Sequence, residues 1–278
     1  MNLQAEAAET LKASSVGRLI YKNLRPVVHA VHRTLHPDVP PELKRVKVPA
    51  YDRETSFIQR RTFADFTVIK QCFHDRQYDF PTGAHGAFLQ DRYEQIVASG
   101  RQPLIVDCGA NIGASVVWFN TRYPRAHIVA IEPASDNFAV LRRNCTNLDV
   151  DVRQAGIAAE DGFGHLTDTD GSSLAYRTIA GGPGDDISML SISTLCASKP
   201  STSYVPFLLK IDIEGAERNL FDGDVSAINE FPIIIMEPHD WLLPGQLTSA
   251  SFMRYHAASG REFVVHHENV ASIACHPS

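Results

Sequence analysis

Four acidic residues stand where apolar runs end: Asp107 after 104–106, Glu132 after 127–131, Asp212 after 207–211 and Glu237 after 231–236. Between Asp107 and the next apolar pattern (Val116, Val117, Phe119) lie Gly109 and Gly113, which read as a tight turn between a buried strand and a helix. Glycine lets a backbone take positive φ and come close to a ligand. In a parallel sheet the carboxyl ends of the strands share one edge, and α/β proteins bind ligands there. One acidic strand end would mean little. Four beside a glycine turn describe a carboxylate-lined cleft for a ligand rich in hydroxyls or positive charge.

A nicotinamide dinucleotide is the first ligand to test against this cleft. Its fingerprint, G-x-G-x-x-G, needs a glycine at the middle position to clear the pyrophosphate. The turn here is Gly109-Ala110-Asn111-Ile112-Gly113, with Asn111 at that position, and the Asp107 carboxylate just before it would repel a pyrophosphate. A ligand with a ribose and a cationic centre but no phosphate fits better. S-adenosylmethionine is such a ligand.

The blocks V-D-C-G-A-N-I-G, A-I-E-P, L-K-I-D-I-E-G-A-E and I-I-I-M-E-P-H occur in this order between about 93 and 239. Together they resemble the FkbM family of S-adenosylmethionine-dependent methyltransferases. The resemblance implies a class I methyltransferase fold: an α/β, Rossmann-like, seven-stranded and mostly parallel sheet with helices on both faces. It also implies O-methylation of a saccharide or related secondary-metabolite hydroxyl. Carried over, Asp107, Gly109, Asn111 and Gly113 would surround the methionine end of the cofactor, and Glu132 would accept hydrogen bonds from the ribose hydroxyls. The adenine would lie near 155–158, at Gly156. Similar proteins often carry Asp where this chain has Cys196, which puts any role of that acid in doubt.

Methyl transfer is an in-line displacement, so alignment of the two reactants supplies much of the catalysis. A sugar hydroxyl still has to lose its proton. Asp212, Glu214 and His239 are the candidate catalytic residues. If the backbone at Asp212 is extended, Asp212 and Glu214 point the same way. His239 has the ordinary pKa best suited to a base, about 6.5. The bland readings are that Asp212 caps the next helix, Glu214 complements its dipole, and His239 is a solvated loop residue. A divalent metal such as magnesium, held by Asp212 with Glu237 or His239, is a further option. His266 and His267 read as structural.

The elements around these residues follow an alternating order. Helical patterns cover 88–98, 136–144 and 250–258, strands cover 127–131, 151–158 and 262–266, and E-G-A-E-R at 214–218 opens another helix. Such alternation means a mostly parallel sheet covered on both faces. Residues 162–184 read as a short hairpin and loop, and 78–86, with Pro81, Gly83 and Gly86, as a mobile loop that serves either as a lid or as a plain connector. Ahead of the domain at 78–278 lies an N-terminal extension, 1–77, helical over 1–35 and followed by a linker marked by Pro37, Pro40, Pro41 and Pro49. Residues 55–75 carry no clear pattern.

Charge and cysteine usage narrow the class of partner. Residues 12–47 carry a local charge of +6 in a chain of net charge −6, so the rest carries −12. The basic helix fits self-association, packing on the main domain or an anionic membrane surface. The acidic remainder argues against nucleic acid, as does the lack of an N-P-P-Y-like block or a Pro-Cys pair. The five scattered cysteines form no C-x-x-C pair and read as reduced thiols of a cytoplasmic protein. The expected acceptor is therefore a small molecule or saccharide. The rival readings are a nicotinamide-dependent oxidoreductase and a non-catalytic module that binds the cofactor or a partner.

Overall fold

The structure is a computed structural model and describes residues 43–168, 176–180 and 186–274. The helical pattern of 1–35, with its expected membrane or self-association role, lies outside these residues, as do Pro37, Pro40, Pro41 and Cys275. The other four cysteines are free thiols; Cys72, Cys108 and Cys145 are buried.

Five consecutive parallel strands make up most of a seven-stranded sheet: β3 (Gln102–Cys108), β4 (His127–Ile131), β5 (Val150–Arg153), β10 (Tyr204–Ile211) and β11 (Ile233–Met236). With β12 (Glu262–His266) and β13 (Asn269–Ile273), the order is β12-β13-β11-β10-β3-β4-β5. β13 runs antiparallel to both of its neighbours. This is the expected seven-stranded, mostly parallel, Rossmann-like sheet. Its last strand was not expected, because N-V-A-S-I shows neither clean alternation nor a long apolar run, yet β13 is buried along its whole length. Pro206 has no N–H to give the ladder, and the β3–β10 register shifts between Pro206 and Leu208.

Alternate residues of β3 feed cores on opposite faces of the sheet. Ile105 joins one cluster with residues of α2 (Gly83–Ala98), α3 (Ala114–Arg122) and α4 (Ser135–Asn144). Leu104 and Val106 join the other, with α5 (Ile192–Ala197), α6 (Glu217–Asp222), α7 (Ser226–Asn229) and α8 (Ala250–Ala258). A second sheet, β6 (Gly156–Ile157), β9 (Ile187–Leu190), β7 (Gly162–Asp168) and β8 (Tyr176–Ala180), contains the hairpin expected over 162–184.

Four stretches differ from the sequence reading. The single strand expected over 151–158 is two, because β5 stops at Arg153 and β6 belongs to the second sheet. Pro49, expected in a linker, lies in β1 (Lys44–Ala50), which pairs with β2 (Arg53–Gln59) as an antiparallel hairpin. The unassigned 55–75 supplies the rest of β2, α1 (Phe63–Ile69) and a π-helical turn, Lys70–His74. Both pack into the main core, because Phe57 and Phe73 meet edge to face at 5.4 Å and Phe73 also reaches Trp118. The expected lid is shorter than 78–86, since α2 begins at Gly83 and buried Tyr78 and Phe80 anchor the approach to it.

Candidate functional site

The glycine turn is shaped by what lies beneath it. Gly109, Asn111 and Gly113 all take positive φ, of 82°, 49° and 91°. A Cβ on Gly109 would run into the carbonyl oxygen of Asp212, so the end of β10 passes directly against the turn. Asn is among the residues that tolerate this conformation best, which accounts for Asn111 where a dinucleotide site would have glycine.

Asp107 and Lys210 face each other below the turn. Both are buried, and Lys210 Nζ lies 3.2 Å from Asp107 Oδ1 and 3.2 Å from Asp212 Oδ2 while donating to the Gly109 carbonyl at 2.7 Å. Ser115 Oγ donates to Asp107 Oδ2 at 2.5 Å. Burial opposes the ammonium charge, but Asp107, Tyr78 and Asp212 outweigh it and raise Lys210 well above its ordinary pKa. Lys210 was missed as a site residue, although a lone lysine inside an apolar strand was a legible signal.

Glu132 closes the turn from the end of β4. Its Oε2 accepts from the Asn111 N–H at 2.8 Å and its Oε1 from the Ala134 N–H at 2.9 Å. Burial pushes its carboxyl up to about 7, against the pull of those two N–H groups, Asn137 and Lys210.

Two cavities meet at this edge. The first, about 480 Å³, is lined by Glu132, Asn137, the Ala155–Ile157 stretch and Ile213, among others. The second, about 550 Å³, is lined by Ser115, Lys210 and Glu237, together with Gln71, Gln77 and Tyr78 from before the sheet. Gly109, Asn111, Asp212 and Glu214 line both, so the cleft is continuous over the turn. No signal in the sequence pointed to Gln71 or Gln77, and Tyr78 was marked only as the start of the loop at 78–86. Asp107 and Gly113 are absent from both linings. They shape the turn from below, Asp107 toward Lys210 and Gly113 against Leu141.

The residues after β10 and β11 form a charged cluster. Asp212 and Glu214 do come together, but not through extended backbone, because Glu214 takes a φ of 55° and Gly215 of 99°. Nor does Asp212 cap a helix: α6 starts at Glu217, later than the expected 214. Glu217, missed when the block was read as a helix start, is buried and tightens this turn by accepting from the N–H groups of Ile213 and Gly215. The same oxygen lies 2.8 Å from His239 Nδ1. His239 Nε2 faces Glu214 Oε2 at 3.3 Å, Asp212 Oδ1 at 3.5 Å and Glu237 Oε1 at 3.9 Å.

His239 is therefore no solvated loop residue, being 1% exposed. Burial disfavours its charge, but Glu217, Glu214 and Glu237 raise it well above the ordinary 6.5. The expectation of an unperturbed histidine is corrected: the carboxylates around the ring favour its protonated form. Burial and Asp212 likewise push the Glu237 carboxyl well up. Cys196 sits on α5 and lines neither cavity.

Residues 107–256, more than half of the chain, match the family model described as the methyltransferase FkbM domain. The chain belongs to the FkbM methyltransferase family. "Methyltransferase 1" of Beauveria bassiana is 26% identical over 183 residues, covering 57% of this chain and 72% of that protein. "Methyltransferase sdnD" of Sordaria araneosa is 28% identical over 206 residues, covering 62% and 73%. An O-methyltransferase structure from Bacillus cereus in complex with SAH aligns over 75% of this chain and 90% of that one, at 11% identity and a TM-score of 0.37. That likeness is too loose to compare the two sites. The family match and the two relatives make this FkbM protein a methyltransferase and set aside the oxidoreductase and the non-catalytic module. Among its described residues no helix is long and apolar enough to cross a membrane.

Proposed function

We propose that this methyltransferase transfers the methyl group of S-adenosylmethionine to a hydroxyl of a saccharide or related secondary metabolite. The observation that carries the reading is the continuous cleft over Gly109, whose two cavities share Asp212 and Glu214. A donor with an adenosine end and an amino-acid end needs such a two-part cleft. Its ribose would meet Glu132, a carboxylate already oriented by the Asn111 and Ala134 N–H groups. Its adenine would lie against Ala155, Gly156 and Ile157, and its methionine end against Gly109 and Asn111. Asp107 and Gly113 would act indirectly, by holding the turn in shape.

The acceptor would enter the second cavity, where Gln71 and Gln77 offer amide groups and Asp212, Glu214 and Glu237 offer carboxylates to a hydroxyl-rich molecule. The same carboxylates oppose a phosphodiester, which disfavours nucleic acid. The acceptor O–H bond breaks and its proton passes to Asp212 or Glu214. The oxygen forms a bond to the methyl carbon as the carbon–sulfur bond breaks, and the electron pair stays on sulfur. His239, buried behind the wall and lining neither cavity, faces these two carboxylates and holds them in place.

Incubation of the purified chain with methyl-labelled S-adenosylmethionine and a panel of saccharides and hydroxylated metabolites tests this reading. Label should appear in a methyl ether, and Asp212→Asn should slow transfer while calorimetry still shows cofactor binding. Cofactor binding with transfer only to amines or nucleic acid would overturn the O-methylation.

A further inference from the structure

His239 is withheld from water, and its Nε2 faces three carboxylates at 3.3, 3.5 and 3.9 Å. Each of these is longer than the 2.8 Å contact of Nδ1 with Glu217. One carboxylate on an imidazole is ordinary. Three crowded on a single ring nitrogen repel one another, although Asp212, Glu214 and Glu237 keep exposures of 24%, 18% and 13% toward the cleft.

Two further features separate this group from a surface cluster of acids. The opposite ring nitrogen is fixed by Glu217, itself 1% exposed, and a carboxylate behind the imidazole is the usual outer partner of a metal-binding histidine. Ligand atoms of Asp212, Glu214 and His239 also lie within 4.8 Å of one another. Ligands about 2.1 Å from a shared ion lie roughly 3 Å apart at right angles and about 4.2 Å apart when opposite, and the 3.5 and 3.3 Å separations of His239 Nε2 from Asp212 and Glu214 fall within that range.

We propose that Asp212, Glu214 and His239 hold one divalent cation, which would displace the Nε2 proton of the imidazole, with Glu217 orienting the ring and Glu237 as an outer carboxylate. This replaces the sequence-based pairing of Asp212 with Glu237 or His239 by a set that includes Glu214. An imidazole with two carboxylates suits manganese(II) better than magnesium, which favours an all-oxygen octahedron. The inference rests on the methyl-transfer reading, because the cation would sit in the wall shared by both cavities. There it would bind the acceptor hydroxyl and make its proton easier to remove. The proton still passes to Asp212 or Glu214, and the methyl group to the oxygen.

The test is a titration of the full chain, stripped with chelator, with manganese chloride. Free manganese is followed by electron paramagnetic resonance, and S-adenosylhomocysteine binding by calorimetry on the same samples. One manganese per chain is expected. Glu214→Gln and Asp212→Asn should each weaken it at least tenfold while S-adenosylhomocysteine still binds, and Glu262→Gln, on the exposed face of β12, should bind it as the parent chain does. S-adenosylhomocysteine binding without manganese uptake, or uptake unaffected by both cluster variants, overturns the cation and leaves the cleft reading standing. Failure to bind either probe overturns both.

Discussion

Glu132 and Lys210 each support the glycine turn through a single charge. Glu132 accepts from the Asn111 N–H within the turn, and its carboxyl titrates at about 7 because it is buried. Ribose hydroxyls can donate fully only to the ionised form, so protonation competes with the cofactor. S-adenosylmethionine affinity should fall by up to about tenfold between pH 8 and pH 6, measured by calorimetry. The effect on the unliganded fold has the opposite sign. A carboxyl raised above its unfolded value favours folding below that value and loses this contribution as pH rises through about 7. Glu132→Ala should weaken the cofactor more than tenfold at pH 8, since two charge-assisted hydrogen bonds are worth about 1.5–3 kcal/mol each. An unchanged dissociation constant would refute the assignment. Lys210→Met strands the buried Asp107 charge, and urea unfolding should show a loss of about 3–5 kcal/mol.

At the scale of elements, the turn is held from three sides. Asn144 on α4 donates to the carbonyls of Ile112, in the turn, and Ile58, in β2, and accepts from the Ile58 N–H. Arg60, just past β2, bonds Asp65 and the side chains of Asp136 and Asn137, and Asn137 lines the first cavity. The β1–β2 hairpin thus braces the wall of the first cavity although it lies outside the family match. The end of β10 supports the turn from the other side, where only glycine fits at 109. Gly109→Ala would add about 1–2 kcal/mol of backbone strain to a collision with the Asp212 carbonyl. It should abolish cofactor binding, and retained binding at the parent affinity would show that the turn relaxes freely.

Across the whole molecule, the N-terminal segment belongs to the same core as the parallel sheet. Phe57 is fully buried and packs on Phe73, whose neighbour Trp118 lies on α3 directly after the turn. Phe57→Ala should therefore destabilise the protein by about 3–5 kcal/mol in a single unfolding transition. A small, separate transition for the hairpin would show that it folds on its own. The same segment supplies Gln71, Gln77 and Tyr78 to the second cavity. On the proposed reading, acceptor choice would depend on a part of the chain with no family signature.

Local pattern alone determined the strands that end in acid, the glycine turn and the ranges 127–131, 250–258 and 262–266, because periodicity and turn chemistry are short-range properties. Asp107, Glu132, Asp212 and Glu237 were legible for the same reason: each follows an apolar run. Tertiary structure decided the rest. It put β13 between β11 and β12, folded 43–74 into the core, and turned Asp107 away from the cleft to pair with Lys210. It also gathered three carboxylates and Glu217 on His239, which favour the protonated form of that ring. Burial and the approach of residues distant in sequence set those charges, and spacing along the chain encodes neither.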